Sequence, residues 1–391
     1  MSWPLVKFEE VALPVKGAIV SGPFGSNIGS RFFVDEGVPV IRGNNLSFGQ
    51  RRFIDDGFVY LTDEKAQEFR NCEAIEGDLV FTAAGTIGQV GIIPPGARFE
   101  RYIISNKQLR VRCDSSKVNP LFIFLWFTTQ EMRQHIINKN SGSTIPLINL
   151  GILRGLPVPL PPIEVQEQIA SALAAYDDLI ENNRRRMALL EESAGLLYRE
   201  WFVRLRFPGF EHTPTIDGMP VGWERLPLGD ALILQRGFDL PTQARQDGTV
   251  PIYGSTGILG FHDKAKVSAP GVVTGRSGTL GEVQHVADDY WPLNTALWVK
   301  EFKRVTPLFA LFLLREMDLR QYNGGASVPT LDRKTVHKVQ ILVPSIPLLR
   351  TFDEFAADAF AQIKNLNIQT QKLRTARDLL LPRLMSGELT V

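Results

Sequence analysis

Residues 161–203 read PPIEVQEQIASALAAYDDLIENNRRRMALLEESAGLLYREWFV. After Pro161-Pro162 no proline interrupts the stretch. Ile169, Leu173, Tyr176, Ile180, Asn183, Met187, Leu190, Ala194, Leu197 and Trp201 then recur at alternating steps of four and three. That is a heptad seam, the pattern of a long helix packing on another helix. At 1.5 Å per residue, about 37 residues give a helix roughly 55 Å long, too long to fold back inside a small domain.

Sliding the chain by 183 residues finds the seam again at Phe352, Ala356, Ala359, Ile363, Leu366, Thr370, Leu373, Arg377, Leu380 and Leu384. Asn183 and Thr370 are polar interruptions suited to fixing register. Pro382, facing Arg199 in the other copy, is expected to end or kink the second helix early. The offset also places Gly142 on Gly325, Pro146 on Pro329 and Pro161 on Pro344. Upstream it drifts as loop lengths differ: Gly85-Thr86-Ile87-Gly88 matches Gly278-Thr279-Leu280-Gly281, Asn106 matches Asn294, and Trp3 matches Trp223. The chain is one unit written twice.

Each unit begins with Gly, Pro, β-branched and aromatic residues in short alternating runs, such as Val38-Pro39-Val40-Ile41 and Leu109-Arg110-Val111-Arg112, with frequent turn signals. That reads as a strand-rich head with a few helices, for example around 119–139. The expected fold class is α+β: strand-rich heads at 1–160 and 204–345, with long helices at 161–203 and 346–391. The helices should pair antiparallel as a coiled coil, one head at each end, related by an internal pseudo-two-fold repeat.

Composition narrows the function. The 391 residues carry 43 Lys+Arg, 42 Asp+Glu and two Cys. Cys72 and Cys113 have no partner cluster, so a disulfide framework is excluded and a reducing, cytoplasmic setting is expected. The start lacks signal-peptide form. The longest apolar run, Leu121 to Phe127, is far below the ~20 residues that span a bilayer. A net charge of +1 by itself argues mildly against a nucleic-acid binder, which usually shows a basic excess. Divided along the repeat, however, residues 1–160 hold 17 basic against 15 acidic residues and 204–345 hold 16 against 14, while 161–203 hold 4 against 8. The heads are mildly basic and the first helix is acidic.

No catalytic or metal-binding constellation is present. There is no GxxxxGK[ST] loop and no GxGxxG opening a helix after a strand. Asn119-Pro120-Leu121-Phe122 pairs with Thr306-Pro307-Leu308-Phe309 in the other copy, so it reads as a helix start with proline in the first turn. The five histidines lack neighbours at ligand spacing. The acid pairs Asp55-Asp56, Asp177-Asp178 and Asp288-Asp289 do not recur between copies and read as solvated charges.

Two heads on a spacer suit a ligand with two separated features, and duplex DNA is one. Sequence readout needs polar and basic side chains on loops. The first head offers Ser26, Asn27, Arg42, Asn44, Asn45, Gln50, Arg51, Arg52, Asn106, Lys107, Gln108, Lys139, Ser143 and Thr144. The second offers Arg236, Tyr253, Ser255, Thr256, Arg276, Ser277, Asn294 and Ser327. A protein-interaction adaptor with two heads on a helical spacer is the alternative. An enzyme with an unrecognised site would need a paired carboxylate in a cleft of both copies.

The order of several stretches resembles the specificity subunit of type I restriction-modification systems. They are Ser21-Gly22-Pro23-Phe24-Gly25-Ser26 before Gly37-Val38-Pro39-Val40-Ile41-Arg42; Gly77-Asp78-Leu79-Val80; Pro159-Leu160-Pro161-Pro162-Ile163 leading to Gln166-Glu167-Gln168-Ile169; Arg206-Phe207-Pro208-Gly209; Pro220-Val221-Gly222-Trp223; and Leu379 to Gly387. The resemblance spans essentially the whole chain. It implies two target recognition domains, each reading half of a bipartite site in double-stranded DNA, and helices that set the spacing and dock two methyltransferase subunits. Two restriction subunits would join through the complex. S-adenosylmethionine and ATP would belong to the partner subunits, leaving this chain without cofactor, metal or catalytic residue. It does not transfer base-reading positions, so the loop residues above rest on their chemistry and on the repeat.

Overall fold

In a computed structural model the described residues are 3–49 and 51–391; residues 1–2, Gln50 and the Ser26 side chain lie outside them. The longer helices are α1 (Pro120–Thr128), α2 (Gln130–Asn138), α3 (Ile163–Tyr198), α4 (Pro307–Glu316) and α5 (Ile346–Met385). Asn119 caps α1 by accepting from the Leu121 and Phe122 N–H groups, with Pro120 at the first helical position. The helical signal around 119–139 therefore holds two helices, broken at Thr129, whose side chain caps α2.

The chain divides into two compact units, residues 1–182 with 370–391, and residues 183–369. In the first, strands 19–21, 108–111, 79–82 and 90–92 form an antiparallel sheet in that order. A second sheet orders 59–61, 38–41, 102–104 and 73–74, with 38–41 parallel to 102–104. The other unit repeats the plan: 232–236, 296–302, 271–275 and 283–286 in one sheet, and 257–262, 250–254 and 291–292 in the next, again with one parallel pair. Even the two-stranded closures correspond, Leu5 opposite Pro159 and Arg225 opposite Leu342. The fold is α+β with strand-rich units and two long helices, and the internal repeat extends to strand order.

Each core seals its sheet with helix. In the first unit Phe8, Phe81, Phe122 and Phe127 pack with Leu173 of α3 and Leu381 and Leu384 of α5. In the second, Phe309, Tyr198 and Phe352 form one aromatic group, Tyr198 and Phe352 lying 6.0 Å apart. Burying each such side chain contributes ~1.5–3 kcal/mol. Asp177 of α3 bonds Arg377 near the end of α5, whereas Tyr198 near the end of α3 meets Phe352 near the start of α5. The two helices therefore run antiparallel.

The seam positions follow the burial. Ile169, Leu173, Ile180, Phe352 and Leu366 are buried, and Tyr176, Met187, Leu190, Leu197, Ile363, Leu373 and Leu380 are half-buried. Leu179, Leu189, Leu196 and Leu379, off the seam, are exposed. The expectation for Pro382 fails, because α5 continues through it to Met385 and is 40 residues long against 36 for α3. The proline sits in the last turn and removes a single bond, to the carbonyl of the exposed Asp378.

The acid pairs are corrected in part: Asp56, Asp178, Asp288 and Asp289 are exposed, as expected of solvated charges, whereas Asp55 and Asp177 are half-buried. Asp177 and Asp178 bond arginines, Asp55 accepts from the Arg98 N–H and the Tyr102 hydroxyl, Asp288 pairs with Lys364, and Asp289 accepts from the Ala269 N–H. These five carboxylates bond donors that distant sequence segments supply.

Candidate nucleic-acid interface

Antiparallel pairing carries the polar loops of each unit to one strand end. In the first head the Gly22 N–H donates to the Gln108 carbonyl at 3.0 Å, the Ser105 N–H to the Ile41 carbonyl, and the Ala83 N–H to the Lys107 carbonyl. Loops 22–27, 42–45, 83–88 and 105–107 are thereby gathered. Gly22 is required there, since a Cβ would stand 1.9 Å from the Ser105 carbonyl oxygen. In the second head Gly237 has the same constraint against Leu293, at 2.2 Å. There the Arg276 and Ser277 N–H groups donate to the Thr295 carbonyl, bringing loops 237–239, 276–281 and 293–295 together.

The two matched asparagines both brace the loop after the first strand of this sheet. Asn106 donates to the Gly25 carbonyl at 3.3 Å, and Asn294 donates to the Asp239 carboxylate, which also faces Arg236 at 3.5 Å. Arg276 reaches the Asn294 carbonyl at 3.3 Å. Asn27, Asn44, Arg51, Lys107, Lys139, Ser143 and Thr144 are exposed in the first head, and Arg236, Thr256 and Ser327 in the second. Arg42, Ser255, Ser277, Arg276 and Asn294 are half-buried.

Four predicted contact residues have other work. Asn45 is fully buried, donating to the Ile54 and Asp56 carbonyls and accepting from the Arg42 N–H; it staples the 42–57 loop shut. Gln108 is buried against the Ser105 hydroxyl. Tyr253 is buried against Tyr290, and that burial pushes its hydroxyl pKa up. Arg52 turns to α3, reaching Asp178 at 3.0 Å and the Ala174 carbonyl at 3.0 Å. Loop position in the sequence does not reveal which way a side chain turns. Phe24, 90% exposed in the 22–27 loop, and the exposed Ile145 and Val328 add apolar surface that the polar chemistry of these loops does not announce.

A groove of about 1110 Å³ in the first unit is lined by α1, α2 and the end of α5, with Asp177 held by Arg377. The 183-residue offset places Phe360 at the matching position, so this carboxylate has no counterpart in the other copy. Among the described residues no group of three His, Cys, Asp or Glu could hold a metal, and no helix is long and apolar enough to cross a membrane.

Residues 33–192 match the family model described as the type I restriction modification DNA specificity domain. Over most of its length the chain resembles type I restriction specificity subunits. It is 25% identical to the MjaIX specificity subunit of Methanocaldococcus jannaschii, covering 90% of this chain and 87% of that one. It is 20% identical to the HindI specificity subunit of Haemophilus influenzae, covering 74% and 82%. The crystal structure of a type I restriction-modification S subunit from M. genitalium shares the fold, with TM-score 0.60 and 15% identity over 98% of this chain and 96% of that one.

Proposed function

We infer that this chain is the non-catalytic, sequence-recognising subunit of a type I restriction-modification complex. The head at 1–160 reads one half of a bipartite duplex site and the head at 204–345 the other. The helices at 161–203 and 346–391 set the spacing and dock two methyltransferase subunits, with two restriction subunits completing the assembly. Methyl donor and ATP chemistry belong to those partners. The observation that carries this reading is the duplicated gathering of polar and basic loops at one strand end of each unit, in a chain with the specificity-domain match. With each head only two charges above neutrality, phosphate attraction is small, so the isolated chain binds duplex DNA weakly at physiological salt and its partners supply the grip. The test is to map methylated adenines in the host genome and exchange one head. One half of the motif changes; a change in both halves, or in neither, overturns the reading.

A further inference from the structure

Two loops have the same construction in both heads, while those around them differ. The first is the turn Gly85-Thr86-Ile87-Gly88, matched by Gly278-Thr279-Leu280-Gly281. Its glycines have φ of +93° and +90° in one copy and +90° and +92° in the other. The second is clamped by an asparagine. The Asn140 side-chain oxygen accepts from the Gly142 and Leu147 N–H groups at 2.9 and 2.8 Å, and Asn323 accepts from Gly325 and Thr330 at 3.0 and 2.9 Å. A Cβ on Gly142 or Gly325 would stand 1.9 or 2.1 Å from the carbonyl oxygen of Ile145 or Val328. The two loops are docked on each other by the same bond, Gly85 N–H to the Pro146 carbonyl and Gly278 N–H to the Pro329 carbonyl, each 2.9 Å.

Each platform presents the same chemistry. Matched exposed hydroxyls are those of Thr86 and Thr144 in one head and Thr279 and Ser327 in the other. Next to Thr144 and Ser327 in the chain a β-branched residue faces solvent, Ile145 at 59% and Val328 at 52% exposure. Elsewhere the heads diverge: residues 42–58 join two strands in the first head, where the two residues Ser255-Thr256 do so in the second.

Two heads that read different bases need different reading loops. A part built alike in both must meet something that both half-sites offer. Hydroxyls and backbone N–H groups are the usual partners of phosphate and sugar, contacts that position without reading sequence. An exposed aliphatic side chain suits packing along a groove wall or against a base step. The platforms also adjoin the cationic loops, through Ala83 N–H to the Lys107 carbonyl and Leu331 N–H to the Arg276 carbonyl.

We propose that the paired loops 85–88 with 140–147, and 278–281 with 323–330, are the sequence-independent duplex contact of each head. This rests on the reading of the chain as a DNA-recognition subunit. The test uses the complex assembled with its methyltransferase subunits and two labelled duplexes, one with the methylated motif and one scrambled. Ile145→Asp with Val328→Asp weakens both duplexes by about tenfold or more, leaving the motif unchanged, and Thr144→Ala with Ser327→Ala weakens both by a smaller common factor. Thermal unfolding of the complex separates contact loss from misfolding, and the alanine variants carry the test if the aspartates misfold. Three outcomes overturn the proposal: altered base preference in a half-site, loss of methyltransferase subunits with DNA affinity intact, or unchanged affinity in both variants. A wild-type complex that binds neither duplex sinks the underlying functional reading instead.

Discussion

The Asp177 carboxylate meets the Arg377 guanidinium at 2.7 Å between the two long helices, with both side chains largely buried. Arg377 also donates to the Gly49 carbonyl at 3.4 Å, and Arg52, from the same head loop, reaches Asp178 and the Ala174 carbonyl. A loop of the first head is thus tied to both helices by two arginines reaching toward adjacent carboxylates. Burial alone would lower the Arg377 pKa, but its bonds to Asp177 and Asp378 hold it above the ordinary arginine value.

Replacing Arg377 by Met keeps the stem that packs in the seam and leaves Asp177 facing the more distant Arg52, at 3.7 Å. The expected cost is about 2 kcal/mol, since the pair is largely buried and its partner loses a charged hydrogen bond. Arg377→Lys should lose less, because the charge remains while the two-sided geometry is given up. Urea unfolding of the full chain measures both; equal losses would show that the bonding geometry is irrelevant.

Asn44 and Asn45 are neighbours with opposite fates. Asn45→Ala removes three hydrogen bonds from a buried site and should cost roughly 2 kcal/mol. Asn44 is exposed with one bond, to the Gly57 carbonyl at 3.2 Å, so Asn44→Ala should change stability by no more than about 0.5 kcal/mol. Thermal unfolding separates them, and a large loss from Asn44→Ala would contradict this division.

His285 packs its ring against Phe360, with centroids 4.8 Å apart. Burial lowers its pKa to about 4; Glu191 opposes the shift and Arg315 adds to it. In the unfolded chain the ring keeps its ordinary value near 6.5. Between those values the unfolded state takes up a proton that the folded state refuses. Stability from this group is therefore full above pH 6.5 and lost as pH falls toward 4, by at most about 3 kcal/mol. Subtracting the pH profile of His285→Phe from that of the wild type isolates the effect; a flat difference across that window would remove His285 as its source.

Much of the architecture was legible because two periodicities are properties of the chain itself. The four-three spacing from Ile169 to Trp201 states which face of α3 must be covered, whatever covers it. Asn119 before Pro120 announces a helix start through a local cap. Pro382 misled because the cost of a proline depends on how many bonds follow it, and only the final turn did. The site was less legible. Ser143, Thr144 and Ser327 lie in loops recognisable as copies, whereas Gln108 and Tyr253 sit in runs whose polar character hid their burial.

The sequence by itself determined that the chain is one unit written twice, with a strand-rich part and a long helix in each, because repeats and heptads need no knowledge of what lies nearby. Only the tertiary structure decided which of two adjacent asparagines is a staple and which is free to meet a ligand, and which carboxylates bond donors from distant segments. It also decided that loops 61 residues apart, at Gly85 and Pro146, form one platform. Such choices turn on which distant backbone carbonyl or guanidinium arrives within 3 Å, and strand pairing, not composition, brings it there.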